Sequence, residues 1–425
     1  MTVTLWKSKN LSDLADMCLG KMLDQNKNKG TYFPYLANIN VRWGQIELDN
    51  LREMKFEPKE FDRYGLESGD IVMCEGGEPG RCAIWKGQTA SMMIQKALHR
   101  IRAKEGVCSV FLYYSLLNKG IQGHYEAYFT GAAIKHLTGE SLEKIKVLIP
   151  PLPTQQKIAR ILSAYDSLIE NNLKRIKLLE EMAQLTYEEW FVRMKFPGHE
   201  QAVIDPETGL PEGWKEINLD NACTVSGGGT PSKEVNEYWE NGDITWFSPT
   251  DLSKASNLVL LDSKNKITKK GLQKSSAKLM QPNSFMMTSR ATIGLLGIIN
   301  KPFSTNQGFI NITPYENHHK YFLLFNFKSR VQEFYNHASG ATFPEISKSK
   351  FKRLKINWPS GSILQQWHLK VSPIVDSIAN LTEQNQHLKE ARDILLPRLM
   401  TGMIDVETLS VPEPLSNETL EDHAV

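Results

Sequence analysis

At 425 residues, 41% hydrophobic and 23% charged, the chain has an ordinary soluble composition and enough length for two or three cores. Its 50 Lys and Arg against 48 Asp and Glu leave a net charge of +2, which neither requires nor excludes nucleic acid, because footprints depend on local clustering. Five cysteines without a CxxC pair argue against zinc and for a reducing compartment; the polar N-terminal stretch and the lack of any roughly 18-residue apolar run argue against a signal peptide and a membrane span, so a cytoplasmic protein is expected.

Residues 1–153 read as a first module. Strand-like runs (Gly69 to Met73, Cys82 to Trp85) alternate with the turns Gly76-Gly77 and Pro79-Gly80, and a helical stretch covers Val107 to Leu117. Ile145 to Ile149 predicts a last strand, stopped by Pro150, Pro151 and Pro153. Residues 154–197 then change period. With Thr154 as N-cap, Ile158, Ile161, Leu162, Leu168, Ile169, Ile176, Leu185 and their neighbours recur at three- and four-residue steps. The pattern holds from Gln155 to about Val192, a helix of roughly 57 Å that needs a partner along its length. Pro197-Gly198 ends it.

Residues 198–361 form a second module, with glycine turns (Gly209, Gly213, Gly227-Gly228-Gly229) and β-like runs over Gly294 to Ile299 and Phe309 to Ile312. Ser362 and Gln365 make a capping box, opening a second long helix over 362–400 with Val371, Ile374, Ile378, Leu381, Leu388 and Leu395. Pro373 inside that pattern predicts a fresh helix start, capped by Ser372. Residues 401–425 read as an acidic, poorly ordered tail.

The chain carries this pattern twice. Gly131-Ala132 recurs as Gly340-Ala341 (340 − 131 = 209), Ile145-Lys146 as Leu354-Lys355, and Asp166-Ser167-Leu168 as Asp376-Ser377-Ile378 (376 − 166 = 210). The expected fold is α+β: two similar globular α/β domains separated by two long antiparallel helices, with internal pseudo-two-fold symmetry. The competing arrangement packs each helix on its own module only.

Enzyme signatures are missing. There is no phosphate loop, no Gly-x-Gly-x-x-Gly, no Asn/Asp-Pro-Pro-Tyr/Phe and no His-Glu-x-x-His, and His318-His319 reads as a solvated pair. Asp251, Asp262 and Lys264 loosely match a metal-nuclease arrangement. Basic residues, by contrast, cluster in both modules. Lys264, Lys266, Lys269, Lys270, Lys274 and Lys278 face only Asp262 in sequence, Lys348, Lys350, Lys352 and Arg353 follow, and the first module offers Arg42, Arg81, Lys86, Lys96, Arg100 and Arg102. Such clusters suit phosphate contacts, and side chains on Gly-flexed loops suit base edges.

Ordered motifs over nearly the whole chain resemble those of type I restriction–modification specificity subunits. They are Ser226-Gly227-Gly228-Gly229-Thr230-Pro231-Ser232, Tyr238-Trp239, Gly242 to Trp246, Ser289 to Gly294, Thr305 to Phe309, Tyr35 to Val41 with Trp43-Gly44, Gly77 to Arg81, Gly209 to Trp214 and Leu396 to Gly402. The first module departs from the pattern by lacking a Gly-Gly-Thr-Pro opening, and Pro373 is unusual. The resemblance implies a subunit without catalysis of its own, whose two target-recognition domains read the halves of a split double-stranded DNA site while the helices set the spacer. It further implies two modification subunits using S-adenosylmethionine, and restriction subunits using ATP and Mg. Candidate DNA contacts are Arg42, Trp43, Gly77, Arg81 and Lys96, then Ser248, Lys266, Lys269, Lys270, Ser289, Arg290, Thr292, Asn306 and Gln307. Candidate partner contacts are Ile161, Leu168, Leu178, Leu185, Ile378, Leu388 and Leu395; no metal ligand is expected. A stand-alone nuclease and a DNA-independent coiled-coil scaffold are the alternatives, neither favoured.

Overall fold

The computed structural model describes residues 6–22, 24, 28–340 and 344–409, so most of the expected tail lies outside the described residues. The chain divides into two units, Met1–Leu168 with Leu388–Val425, and Ile169–His387; both boundaries fall inside long helices. No helix among the described residues is long and apolar enough to cross a membrane.

The first unit holds β1 (Lys7–Asn10), β2 (Ala15–Leu19), β3 (Thr31–Leu36), β4 (Val41–Arg42), β5 (Gln45–Ile46), β6 (Arg52–Phe56), β7 (Ile71–Cys74), β8 (Cys82–Ile84), β9 (Met93–Ile94), β10 (Leu98–Ala103) and β11 (Lys146–Ile149). The second holds β12 (Lys215–Asn218), β13 (Cys223–Gly227), β14 (Ile244–Phe247), β15 (Asn265–Ile267), β16 (Phe285–Thr288), β17 (Leu296–Gly297), β18 (Phe303–Thr305), β19 (Phe309–Pro314) and β20 (Lys355–Trp358).

The sheets repeat strand for strand. Order β2-β10-β7-β8 returns as β13-β19-β16-β17, β6-β3-β9 as β15-β14-β18, and the pair β1-β11 as β12-β20. Even the parallel pairing of β3 with β9 recurs between β14 and β18. Among the described residues, the β4-β5 hairpin has no counterpart in the second unit. Residue choice follows burial: the apolar run Ile71 to Cys74 is buried at all four positions, as is its counterpart Phe285 to Thr288. In β11 burial alternates residue by residue, the period of a strand with one wet face.

The first long helix is Leu152–Tyr187, followed by a π turn over Glu188–Val192. It starts ahead of Thr154, which is not the N-cap; its hydroxyl instead donates to Glu407 at 2.8 Å. The second helix, Gly361–Met400, is one piece of 40 residues. The break expected at Pro373 does not occur. Pro373 lies on the exposed side, while Val371, Val375 and Ile378 are buried on the other, and their burial offsets the roughly 3 kcal/mol cost of an interior proline.

Within each unit the helix segments are packed together. In the first, Ile158 and Leu162 share a core with Leu396 and Leu399, and the Arg392 guanidinium donates to Asp166 at 2.6 Å. In the second, Asn172 meets Asn385 and Tyr187 meets Trp367, so that segment pair is antiparallel. The competing arrangement is also partly realised, because Trp190 and Phe191 continue into the module core with Phe322 and Trp214.

Candidate nucleic-acid interface

In the second unit, three loops meet around Gly308. A Cβ there would lie 3.0 Å from Asn306 Oδ1, 3.1 Å from Pro249 and 3.6 Å from Arg290 Nε, so a larger residue would push on all three loops. The first loop leaves β14 at Ser248, whose N–H and hydroxyl donate to Asp251 at 2.8 and 2.6 Å and open the short helix Pro249–Ser253. The second joins β16 to β17. Ser289 N–H donates to Gly308 O at 2.8 Å, and Ala291 is held at φ +60, a conformation that favours glycine and stores strain at this turn. The third leaves β18: Asn306 N–H donates to Phe247 O, and its Oδ1 accepts from Gly308 N–H at 2.8 Å.

This leaves distinct donors available. The half-buried Arg290 guanidinium has no hydrogen bond or ion pair with any described residue, although Arg290 bridges Glu345 through its backbone. Thr292 and Gln307 are exposed, Gln307 accepting from the Thr230 hydroxyl at 2.5 Å. An Arg fork suits a guanine edge and an Asn or Gln amide an adenine edge. Ser289 is a correction: only 3% exposed, it ties loops together and does not offer its hydroxyl outward.

The basic stretch is partly self-neutralised, with more acidic partners than the sequence suggested. Lys266 and Lys301 both pair with Asp262, holding its carboxyl below the usual range despite some burial, and Lys270 pairs with Glu237 at 2.7 Å. Lys269 is exposed and lines a shallow cavity of about 430 Å³ with Asp243, Leu272 and Lys301.

The first unit builds its cluster from the same places in the fold. Gly77 (φ +81) packs on Asn38, where a Cβ would lie 2.9 Å from Nδ2. Arg81 donates to Glu78 at 2.8 Å and to the Asn38 carbonyl at 2.6 Å, and the Trp43 indole donates to Glu78 at 2.7 Å. Arg42 is held by both oxygens of Glu47. Arg100 and Arg102 are structural: Arg100 donates to the carbonyls of Asp62 and Gly65, and Arg102 forks onto Asp70 and reaches Glu67. Lys96 is half-buried, its N–H on Lys21 O, and its amine has no partner among the described residues.

The missing glycine opening is present in three dimensions. Gly20 and Gly228 occupy the same place, each flush against the strand end opposite: a Cβ would lie 2.5 Å from Gln95 O and 2.1 Å from Asn306 O respectively. The next residues, Lys21 and Gly229, donate to Ile94 O and Thr305 O at 3.0 and 2.9 Å. Sequence motifs missed the pair because Lys21 replaces the second glycine; the signal was steric, not compositional.

The type I restriction modification DNA specificity domain matches residues 4–181 and again 211–390. The chain belongs to that family. Relatives include the type I restriction enzyme MjaIX specificity subunit of Methanocaldococcus jannaschii, 27% identical over 83% of this chain and 81% of that protein. Another is the HindI specificity subunit of Haemophilus influenzae, 22% identical over 94% and 99%. The crystal structure of the S subunit from M. genitalium shares the fold, with a TM-score of 0.57 at 15% identity over 93% of this chain and 96% of that one.

This specificity subunit thus has two target-recognition domains, one loop cluster in each. The carboxylates of the nuclease alternative are committed elsewhere: Asp251 caps a helix and accepts from Lys264 N–H, while Asp262 holds two lysines and the Thr245 hydroxyl. His319 is half-buried, not fully solvated. It packs on His318 and Trp358, and burial, followed by the charge of His318, pushes its imidazole down to about 4.

The helix residues divide by face. Leu168, Leu178 and Leu185 are 49%, 64% and 60% exposed, and Met182, part of the helical stripe but not among the expected partner contacts, is 46% exposed. Leu388 is half-buried, and Ile161 and Leu395 pack partly on the first unit's core. Ile378, at 1% exposure, faces the partner helix and presents nothing outward, a correction to its assignment as a partner contact.

Proposed function

We propose that this specificity subunit reads a two-part double-stranded DNA site, one half with each target-recognition domain, while the long helices set the unread spacer and dock two modification subunits. The observation that carries the reading is the repeated set of sheets, each ending in a loop cluster, with the Arg290 guanidinium in one and the Lys96 amine in the other without a partner among the described residues. Arg290, Thr292, Asn306 and Gln307 read bases in one half-site; Trp43, Gly77 and Arg81 shape the reading surface for the other. Lys96, Lys266, Lys269 and Lys270 contribute phosphate contacts, which fix register without selecting sequence. Arg42 stays with Glu47, and Ser248 and Ser289 hold loops in place.

The helices, of 36 and 40 residues, are about 54 and 60 Å long at 1.5 Å per residue, long enough to act as rulers. Leu168, Leu178, Met182 and Leu185 leave apolar surface in water that a modification subunit would cover. S-adenosylmethionine serves those modification subunits, and ATP and Mg serve the restriction subunits; this chain supplies recognition, in the cytoplasm where its DNA is. Exchanging residues 198–361 for the second domain of another specificity subunit should replace one half-site and keep the other. Mapping methylated adenines in cells that carry the hybrid and its modification partner checks this, and a change in both halves overturns separate readout.

A further inference from the structure

We infer that Gln95 is a base-reading residue of the first target-recognition domain, its side-chain amide meeting an adenine edge in the major groove. The inference rests on the reading that the loop clusters face DNA, and it adds a residue that no sequence motif marks.

Gln95 holds the place of Asn306. Each is the first residue after a short strand (β9, β18) that runs parallel to its neighbour (β3, β14), and each donates its N–H to the last carbonyl of that neighbour: Gln95 to Leu36 at 3.0 Å, Asn306 to Phe247 at 2.9 Å. Each lies against a glycine whose Cβ would strike its carbonyl oxygen, Gly20 at 2.5 Å and Gly228 at 2.1 Å. The Gln95 carbonyl also accepts from Leu98 N–H at 3.1 Å, so its backbone is fixed on both sides. Two residues on, Ala97 takes φ +98 where the second domain has Gly308, a strained turn of the kind that persists where the surroundings hold it.

The side chain, in contrast, is uncommitted: half-exposed, with no hydrogen bond to any described residue. Its neighbours are not. Arg81 is divided between Glu78 and the Asn38 carbonyl, and Arg42 is held by both oxygens of Glu47, so these two guanidinium groups are occupied. A side-chain amide pairs its C=O with adenine N6–H and its N–H with N7, whereas a carboxylate at the same place accepts from cytosine N4. Lys96, next in the chain and with an amine that has no partner among the described residues, suits a phosphate.

The test uses the whole modification complex, with methylated adenines mapped by sequencing. Gln95→Ala should relax one base pair of the first half-site, cutting discrimination there roughly 10- to 100-fold, and leave the second half-site unchanged. Gln95→Glu should move the preference at that base pair from adenine to cytosine, a result no purely structural role produces and one that decides the matter if the alanine variant folds poorly. Lys96→Ala should lower methylation on every site without altering the motif. An unchanged first half-site in both Gln95 variants, with the unfolding temperature of the parent, overturns the proposal. Arg290→Ala in parallel separates the failures: relaxation in the second half-site alone rejects Gln95 and keeps loop readout, whereas unchanged motifs throughout reject loop readout itself.

Discussion

In the first target-recognition domain Arg42 pairs with Glu47, Arg81 with Glu78 and Arg102 with Asp70 and Glu67; in the second, Arg290 stands at the loop cluster with no polar side-chain partner among the described residues. The sheets beneath match strand for strand apart from the β4-β5 hairpin. The difference teaches that basic residues should be counted by what they are free to do. A guanidinium already forked onto a carboxylate must give that pair up before it reads a base, and a buried partner such as Asp70, at 1% exposure, would be left uncompensated. The first domain therefore presents an amide and a lysine where the second presents an arginine and an amide.

The strongest way to break this equivalence is through its glycines. Gly228→Ala forces a methyl group to within 2.1 Å of one backbone oxygen, and Gly20→Ala to within 2.5 Å of another. Each should cost about 2–3 kcal/mol in denaturant unfolding, Gly228 the more, while Gly139→Ala, with nothing within 4 Å, should be close to neutral. Parent-like stability of both loop glycine variants would dissolve the structural match.

Next in size is the contrast between free and paired arginines. Arg290→Ala should lose about 1–3 kcal/mol of binding on the correct sequence and little on scrambled duplex, whereas Arg42→Ala should change either by no more than about 0.5 kcal/mol, its charge being held by Glu47. Equal loss on both duplexes for Arg290→Ala would make it a phosphate contact. In the same titrations Lys269→Ala should reduce the salt slope by roughly one, and Lys270→Ala by less, because Glu237 already neutralises it.

The smallest effect is on acid stability. His319 sits before the helix Lys320–Ser329, and the turn before the corresponding first-domain helix, Ser109–Ile121, holds Val107 and Cys108 instead. With its imidazole at about 4 against an ordinary 6.5, the folded second domain binds fewer protons than the unfolded chain between those values, so its stability falls as pH drops from 6.5 to 4. Partial exposure reduces the loss to about 1–2 kcal/mol. His319→Phe should remove that loss, read as hydrogen-exchange protection across β16 and β19 at pH 4.5 and 7, while β7 and β10, where burial also holds the His99 imidazole below its ordinary value, should respond to acid as in the parent. An equal acid response in parent and variant would assign the loss to other groups.

The sequence by itself determined the duplication, the two long helices and the membership in a DNA specificity family, because periodicity, proline stops and spaced motifs are local and survive in one dimension. It also placed the Ser289–Gly294 and Thr305–Phe309 segments in one site, through motifs that happen to be contiguous. Only the tertiary structure decided which donors are free. Arg81 and Glu78 are close in sequence and could be paired on paper, but Arg102 reaches Asp70 and Glu67 across more than thirty positions, and Lys301 joins Lys266 on Asp262 only when β18 lies beside β14. Pro373 shows the same rule in a helix: local chemistry predicts a break, and the burial of Val371 and Val375 against the facing helix and module outweighs it. Gly20 and Gln95 carry no motif at all. Their equivalence to Gly228 and Asn306 exists in the contact between two strand ends, and contacts of that kind are set by how sheets assemble, not by which residues are neighbours in the chain.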